Sequence, residues 1–371
     1  MNLLLDQIVE KDNIFLRKME EIKKLNRTVV LYGNGFGARN VASWMIDKGI
    51  EKVHIAVNRK FLNMTQSVSG IEVEAIEDLL SKMLLDGEKC YIVVAFIGFE
   101  QGQLERYKDS IYEILNYDIF CGLLIKNEIP RIEYDWVKNN IQDLQWVYER
   151  LEDQMSKKSY IAYLNQKISG DYKYNKDIYM ENQYVLPEII KLDEDEIFID
   201  CGAYDGDSIN QFVKAINQQK GSYYSRIIAF EPDEKNWSIL EHNIKTHSNC
   251  EIIKKGIWSK PDTLYFNGGL ESSSNLSNNG DIQVLVESID HILAGTKATF
   301  IKMDIEGAEL QALKGAEKTI IKYRPKLAIC IYHKPEDLIE IPKYIKELVP
   351  DYKFYIRNHH AAAIETVLYA I

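Results

Sequence analysis

Two segments of the chain share one layout, and this layout limits the folds that are open to it. In each segment an apolar run rich in β-branched residues leads into a glycine-bearing loop, and a helical pattern follows. The first segment has its apolar run at Thr28–Tyr32 and its loop at Gly33–Ala38. The second has its run at Ile197–Asp200 and a loop that ends at Gly206. Strands that alternate with helices form a mostly parallel sheet with helices on both faces, so we predict an α/β protein.

The length and the apolar pattern together predict the division into domains. The 371 residues suffice for two domains at roughly 150 residues each, with a connecting element. Residues 1–129 predict a small Rossmann-like domain, because strands and helices alternate there. Residues 130–194 carry apolar residues at helical spacing, which predicts a helical connector or cap. In residues 195–371 strand and helix patterns alternate again, and more strongly. This alternation predicts the third and largest part of the chain.

Tyrosine is unusually frequent, with 23 Tyr beside 12 Phe. Many of these tyrosines lie in the connector, between Tyr148 and Tyr184. A tyrosine has an apolar ring and a polar tip, which suits a wet cleft or a half-buried helix. Our hypothesis is that the connector covers a cleft and offers aromatic faces to a sugar-like ligand. Burial of these tyrosines against the N-terminal domain would contradict it.

The end of the chain predicts one reversed strand. Strands are predicted at Lys353–Arg357 and Thr366–Ala370, and the loop between them is too short to hold a crossover helix. The last strand must therefore run antiparallel to its neighbour. The other strands predicted in this part follow in order: Ile227–Phe230, Ile252–Ile257, Thr299–Asp304 and Leu327–Tyr332.

Charge and cysteine content exclude several classes of protein. The 45 basic and 56 acidic residues give a net charge of −11, which disfavours binding to the phosphates of nucleic acids. The longest apolar run, Tyr91–Phe99, is too short to span a membrane as a helix, and Met1–Glu10 lacks the features of a signal peptide. The 5 cysteines are far apart and form no CxxC pair, which is typical of a reducing compartment. We expect a cytoplasmic protein without a membrane span or a nucleic-acid partner.

The first glycine loop is a weak nucleotide signal. Gly33, Gly35 and Ala38 match the G-x-G-x-x-G/A pattern that brings a pyrophosphate to a helix N-terminus. An acidic residue should end the next strand and bind the ribose, but the chain has Asn58 and Arg59 there. Arg59 could meet a 2′-phosphate. The alternative is a Rossmann-like scaffold without a dinucleotide.

The second glycine loop is a stronger signal. Residues 197–207 have the sequence IFIDCGAYDGD, and Glu231 ends the next predicted strand. A carboxylate in that position can accept both ribose hydroxyls of a nucleoside, and Pro232 can form a wall beside its adenine. Asp200 and Asp207 would repel a pyrophosphate but suit a sulfonium and an ammonium. The charges thus favour S-adenosylmethionine over NAD, whereas the alternative is a plain strand–turn–helix with a capping polar residue.

Motifs spread over the last part of the chain resemble a known family. From about Asp195 onward, about half of the chain is similar to the FkbM family of S-adenosylmethionine-dependent O-methyltransferases. The resemblance implies the class I methyltransferase sheet with a reversed last strand, in agreement with the predicted hairpin. The pairing with an N-terminal Rossmann-like part resembles bacterial members from surface-glycan gene sets. The matching motifs are FIDCGAYDGDS (Phe198–Ser208), IIAFEPD (Ile227–Asp233), SID (Ser288–Asp290), FIKMDIEGAELQALKGA (Phe300–Ala316), PKLAICIYHKPEDL (Pro325–Leu338), YKFYIRNHH (Tyr352–His360) and ETVLYA (Glu365–Ala370).

The resemblance also implies which residues bind the cofactor S-adenosylmethionine. Its methionine part would lie against the second glycine loop, its ribose against one carboxylate and its adenine against the ends of the next strands. The implied residues are Asp200, Gly202, Ala203, Gly206 and Ser208 for the methionine, Glu231 for the ribose, and Pro232, Gly256 and Ile257, at the end of the third strand, for the adenine.

Three residues are candidates for the chemistry. Asp304 and Glu306 follow a predicted strand, at the edge where α/β sheets bind ligands. Either could orient an acceptor hydroxyl or take its proton, and both together could bind a divalent metal through oxygen. His333 ends the following strand, and an imidazole with an ordinary pKa would be a suitable general base at neutral pH. A structural histidine is the alternative, and Glu309 is interpreted as a residue that compensates a helix dipole.

The function predicted from these residues is O-methylation of a hydroxylated acceptor, a sugar or a glycan precursor. The first alternative is an enzyme that binds NAD(P) or a nucleotide sugar at the N-terminal glycine loop. This alternative assigns no function to the DCGAYDG loop. The second alternative is a binding module without catalysis, which leaves Asp304, Glu306 and His333 without one.

Overall fold

A computed structural model describes residues 3–64, 66–96, 98–118, 132–219, 221–267, 275–276 and 282–371. The chain forms two compact units. The N-terminal unit comprises Ile8–Lys138 and Leu164–Tyr174, and the C-terminal unit comprises Met1–Gln7, Asn139–Tyr163 and Asn175–Ile371. The boundary predicted between residues 129 and 130 lies outside the described residues.

The N-terminal unit is built on a six-stranded sheet with the order β3-β4-β2-β1-β5-β6. All neighbouring strands are parallel except for the short β3, which pairs antiparallel with β4. This is the alternating α/β layout that the sequence predicts for this part. Its strands and helices are β1 (Thr28–Tyr32), β2 (Val53–Val57), β3 (Ser67–Val68), β4 (Ile71–Ala75), β5 (Cys90–Val94), β6 (Ile111–Leu115), α1 (Ile14–Lys24), α2 (Phe36–Asp47) and α3 (Ile76–Asp86).

Helices do follow in the predicted connector, but only in its first part. They are α4 (Tyr134–Asn139), α5 (Ile141–Glu149) and α6 (Gln154–Ser169). A short 3-10 turn at Tyr172–Tyr174 comes next, and residues 175–194 contain no helix or strand.

The C-terminal unit contains a seven-stranded sheet and a four-stranded sheet. Its elements are β7 (Asp195–Cys201), α7 (Asp207–Gln218), β8 (Tyr223–Phe230), α8 (Glu234–Ile244), β9 (Cys250–Ile253), β10 (Gly256–Ile257), β11 (Asp262–Asn267), β12 (Asn275–Leu276), β13 (Ile282–Glu287), α9 (Ile289–Leu293), β14 (Phe300–Met303), α10 (Glu309–Lys314), α11 (Glu317–Tyr323), β15 (Lys326–Cys330), α12 (Asp337–Leu348), β16 (Phe354–Asn358) and β17 (Thr366–Ala370).

The larger sheet has the order β16-β17-β15-β14-β7-β8-β9. Its strands are parallel except that β17 runs antiparallel to both β15 and β16. The predicted fold class, a mostly parallel methyltransferase sheet with one reversed strand, is thereby confirmed. Its core lies against α7, where Ile209, Phe212, Val213 and Ile216 recur at helical spacing and are buried. The ring of Phe212 stacks on that of Phe198 in β7, with 4.5 Å between the ring centroids.

The third strand of this sheet is shorter than predicted, which corrects the placement of Gly256 and Ile257. Strand β9 ends at Ile253, where the chain turns and Lys255 N–H donates to the Ile253 carbonyl at 2.8 Å. Gly256 and Ile257 then form β10, which pairs with β13 in the smaller sheet. A Cβ atom on Gly256 would lie 3.8 Å from the Cβ of Pro232, so β10 still lies beside the end of β8.

The connector is not a separate body, which corrects the predicted three-part division. Helix α5 belongs to the C-terminal unit, where Asp143 pairs with Lys343 of α12 at 2.6 Å. In α6, the hydroxyl of Tyr160 donates to the Leu338 carbonyl at 3.4 Å. These contacts tie the helices to the far end of the chain, because apolar faces of short helices are stabilised by tertiary packing.

The connector tyrosines differ in burial, and the fully buried ones do not offer their rings to a ligand as the hypothesis expected. Tyr160 and Tyr163 are fully buried, and the hydroxyl of Tyr174 donates to the carboxylate of Glu10 within the N-terminal unit. Tyr184 is the exception described below. Among the described residues, no helix has the length and apolar content to cross a membrane.

Candidate active site

The second glycine loop lies at the carboxyl end of β7 and requires glycine at two positions. Gly202 has φ +84°, and a Cβ atom there would lie 1.9 Å from the carbonyl oxygen of Asp304. Gly206 has φ +89° at the N-cap of α7, and its Cβ would lie 2.8 Å from a methyl group of Ile244. Ala203 is fully buried between them. The loop therefore brings the backbone at the ends of β7 and β14 into direct contact, which only glycine permits.

Asp200 is fully buried and paired within the protein, whereas we expected from the sequence that its charge would meet a cationic cofactor. Its carboxylate is fully buried, lies 3.1 Å from the ammonium of Lys302 and accepts a hydrogen bond from the Ser208 hydroxyl. Lys302 also donates to the Gly202 carbonyl at 2.6 Å. Burial opposes the charge on Lys302, but the carboxylates of Asp200 and Asp304 outweigh it and raise the pKa of this lysine. The contacts of Asp200, Ser208 and Lys302 thus stabilise the glycine loop.

Glu231 lies at the carboxyl end of β8, as predicted, and its side chain fastens the same loop. Its carboxylate accepts hydrogen bonds from Tyr204 N–H at 2.9 Å, from Asp233 N–H at 2.8 Å and from the Asn236 side chain at 3.2 Å. Burial raises the pKa of Glu231. An ionised carboxylate offers about four acceptor positions, so one remains for a ligand hydroxyl.

His333 lies among carboxylates from neighbouring segments. Its Nε2 is 3.4 Å from Asp304 and 3.5 Å from Glu306, and its Nδ1 is 3.0 Å from Glu309. Burial lowers the pKa of this imidazole, but the carboxylates, with Glu309 first, outweigh burial and raise it to about 10. The prediction of an ordinary pKa is wrong, because the sequence does not reveal that three carboxylates surround the ring. At neutral pH this imidazole carries a proton and cannot take another.

Asp304 and Glu306 occupy different environments although they are two residues apart. Asp304 accepts hydrogen bonds from the hydroxyls of Tyr184 at 2.9 Å and Tyr332 at 3.2 Å. Burial opposes its ionisation, but the charges of Lys302 and His333 lower the pKa of Asp304. Glu306 has φ +55° and a side chain that is 52% exposed, and partial burial raises its pKa. Glu306 is therefore the accessible carboxylate of the pair.

Sequence reasoning missed two residues of this site. Glu309, interpreted as a dipole-compensating residue, is fully buried, and its Oε1 accepts Ile305 N–H at 2.9 Å beside His333. Tyr184 is 4% exposed and reaches Asp304 from the segment before β7. The high number of tyrosines indicated that this segment could contribute to a site, but it did not indicate which tyrosine would reach the ends of the strands.

The surroundings of the site are strongly acidic. Burial and the charge of Glu309 raise the pKa of Asp337 to about 7. Burial and the charge of Asp304 raise the pKa of Glu365 to about 7, although the Gln183 side chain donates to Glu365 at 2.7 Å. Carboxylates thus outnumber the cations Lys302, His333 and Lys334 at the carboxyl ends of β14 and β15, and the site suits a positively charged ligand.

The first glycine loop, in the N-terminal unit, lies between β1 and α2. Gly33 has φ +134°, Gly35 is the N-cap of α2, and Ala38 is buried in the core. At the end of β2, Asn58 accepts a hydrogen bond from the Tyr32 hydroxyl at 2.5 Å. Arg59, which could meet a 2′-phosphate, pairs with Asp78.

Comparisons with known proteins agree with this geometry. The family model "Methyltransferase FkbM domain" matches residues 200–354. A methyltransferase FkbM from Methylobacillus flagellatus KT, solved as a crystal structure, is 21% identical, with 99% of this chain and 97% of that chain covered and a TM-score of 0.74. No curated protein sequence matches the chain.

Two further solved structures are similar over about half of the chain. An rRNA methylase from Streptococcus thermophilus is 14% identical, covering 48% of this chain and 87% of that one, with a TM-score of 0.32. Fibrillarin from Aeropyrum pernix, solved with S-adenosyl-L-methionine, is 10% identical, covering 48% of this chain and 67% of that one, with a TM-score of 0.30. Scores this low do not establish a shared fold. Residues 200–354 thus match the model of the methyltransferase FkbM domain, as the sequence resemblance implied, and the chain has the fold of the M. flagellatus protein.

Proposed function

We propose that the protein transfers a methyl group from S-adenosylmethionine to a hydroxyl group of a small acceptor, a sugar or glycan precursor. The observation that carries the proposal is the loop from Gly202 to Gly206, held by Glu231 at the carboxyl ends of β7 and β8. The crevice beyond the carboxyl ends of such strands is where α/β sheets bind nucleotides. The acidic surroundings favour a cofactor that carries a sulfonium and an ammonium.

The cofactor would lie across the ends of β7 and β8. The free acceptor position of Glu231 would take a ribose hydroxyl, and the backbone of Gly202 and Ala203 would lie against the methionine part. Pro232, with Gly256 and Ile257 of β10, would border the adenine. Asp200 and Ser208 act through the loop that they support, not by touching the ligand.

S-Adenosylmethionine supplies the methyl group, and the residues of the chain position the acceptor and remove its proton. The acceptor hydroxyl would take the methyl group and lose its proton, and S-adenosylhomocysteine would be the leaving group. Glu306 is accessible and has a raised pKa, so we assign it as the proton acceptor. Asp304, held by two tyrosine hydroxyls, would orient the hydroxyl. General-base assistance of this kind contributes about 10²–10⁴-fold to a rate.

Two features of the described residues bear on the remaining alternatives. Arg59 forms an exposed ion pair with Asp78, so a 2′-phosphate would have to compete with this carboxylate for the guanidinium. The thiols of Cys90, Cys201 and Cys330 are free and buried, which suits the reducing cytoplasm that we propose as the compartment.

A Glu231→Gln variant should bind S-adenosylmethionine and S-adenosylhomocysteine at least about 10-fold more weakly, since a hydrogen bond to a charged group contributes about 1.5–3 kcal/mol. Glu234→Gln is the matched control, because Glu234 is exposed on the next helix and should bind as the parent does. Isothermal titration calorimetry measures both variants, and their melting temperatures without ligand report any loss of fold.

The proposal as a whole is tested by thermal shift of the parent protein with S-adenosylmethionine, S-adenosylhomocysteine, NADH and NADPH. A ligand at 100 times its Kd stabilises a protein by about 2.7 kcal/mol. Stabilisation by the two sulfur nucleotides is expected. Stabilisation by NADH or NADPH alone would overturn the proposal in favour of the N-terminal loop. Transfer of tritiated methyl to saccharides but not to amines would establish the acceptor class.

A further inference from the structure

We propose that Asp304, Glu309 and His333 bind a divalent transition-metal cation. Each of the three residues offers one ligand atom, and these atoms lie within 4.8 Å of one another. This set differs from the pair expected from the sequence, Asp304 and Glu306, because buried Glu309 takes the place of exposed Glu306. Two carboxylates and one imidazole form a mixed oxygen and nitrogen donor set, which suits Mn²⁺, Fe²⁺, Co²⁺ or Zn²⁺.

A second observation points to a ligand at this place. Glu309 is fully buried, and within the described part of the chain its Oε2 has no hydrogen-bond partner. The His333 side chain is 8% exposed, and neither ring nitrogen makes a hydrogen bond to a described residue, although carboxylate oxygens lie 3.0 to 3.5 Å away. Buried polar atoms almost always have partners, because leaving one without any destabilises the folded state. A cation coordinated by these atoms would satisfy them, and it would replace the proton that the imidazole of His333 carries without it.

The three residues are also held in place, as ligands of a metal site need to be. Asp304 follows β14 directly and accepts the hydroxyls of Tyr184 and Tyr332. Glu309 is the first residue of α10, and Ile305 N–H fixes its Oε1. Outer hydrogen bonds of this kind orient the ligands and commonly change metal affinity 10- to 100-fold when they are removed.

The consequence for catalysis rests on the proposed function. A cation at the carboxyl ends of β14 and β15 would lie next to Glu306, the residue assigned as the proton acceptor. A hydroxyl that binds such a cation becomes more acidic. The metal would then lower the barrier for Glu306 to take the proton, and it would favour acceptors with two adjacent hydroxyls, as in sugars.

Mn²⁺ binding to the chelator-treated full-length protein tests the site directly. Electron paramagnetic resonance and calorimetry should both detect one bound ion in the parent. Glu309→Gln and His333→Gln should each weaken binding at least about 10-fold. Glu306→Gln is the discriminating control and should weaken Mn²⁺ binding less than Glu309→Gln does, because Glu306 lies beside the proposed ligand set but is not part of it.

Binding of S-adenosylhomocysteine, measured in the same samples, reports whether each variant is folded and separates the two proposals. Retained nucleotide binding with weakened Mn²⁺ binding in Glu309→Gln supports the site. A parent that binds the nucleotide but no Mn²⁺ overturns the metal site alone, as does equal weakening in Glu306→Gln. A parent that binds Mn²⁺ but neither sulfur nucleotide overturns the proposed function and leaves the metal site standing.

Discussion

A Gly202→Ala variant is expected to lose more than about 4 kcal/mol of folding free energy, an exceptionally large effect for one methyl group. The added Cβ would lie 1.9 Å from the carbonyl oxygen of Asp304 and 3.0 Å from its carbonyl carbon. Both are backbone atoms at the end of β14, so relief would require the sheet itself to open. The backbone at Gly202 also has φ +84°, which side chains of L-residues rarely adopt. Urea denaturation measures the loss.

Gly295→Ala is the matched control for this variant. Gly295 belongs to the same unit and has φ +86°, but a Cβ there would meet no atom within 4 Å. It isolates the cost of the backbone conformation, about 1–2 kcal/mol. If the two variants lost equal stability, the close contact between the ends of β7 and β14 would not be the cause.

A Lys302→Met variant is expected to lose about 3–5 kcal/mol of stability, because it leaves the carboxylate of Asp200 buried without its cation. The ammonium of Lys302 lies 3.1 Å from Asp200 and donates to the carbonyl of Gly202 at 2.6 Å. Its loss should also loosen the glycine loop and weaken the binding of S-adenosylhomocysteine. Denaturation and calorimetry measure the two effects separately.

The control for Lys302→Met is a double variant that also carries Asp200→Asn. The double variant removes the unpaired buried charge of Asp200, so it should recover part of the lost stability. The recovered free energy measures the coupling between Asp200 and Lys302. Arg226→Met breaks an exposed pair with Glu251 and should cost less than about 1 kcal/mol. A loss of that small size in Lys302→Met would contradict the role assigned to the buried pair.

The parallel sheets could be predicted because their strands are continuous apolar runs. Strands β7, β14 and β15 are buried along most of their length and β8 along its second half, and the short loop before β17 fixed the direction of that strand. The smaller sheet escaped prediction. Its strand β13 alternates buried and exposed residues, and its partner β10 has only the two residues Gly256 and Ile257. A strand this short has no periodicity of its own and exists through its pairing.

The location of the candidate site could be predicted from the sequence, but the hydrogen bonds and ion pairs within it could not. Because parallel strands end at one edge, Asp304 and His333 were expected near each other, and Glu231 was expected at the end of β8. The charge state of His333 depends on the burial of Glu309 and on the turn that carries Glu306. Both features arise from the tertiary fold and cannot be deduced from the sequence next to His333. The pairing of Asp200 with Lys302 likewise joins residues about a hundred positions apart, at neighbouring positions of β7 and β14.

The position of β17 has a consequence for synthesis of the protein. This strand is buried along its whole length and lies between β15 and β16, although it is the last strand of the unit to leave the ribosome. Until Thr366–Ala370 emerges, β15 exposes an unpaired apolar edge, which is a template for aggregation. The C-terminal unit must therefore complete its folding after translation of its final strand, and a message truncated before Thr366 should yield a protein that depends on chaperones or aggregates.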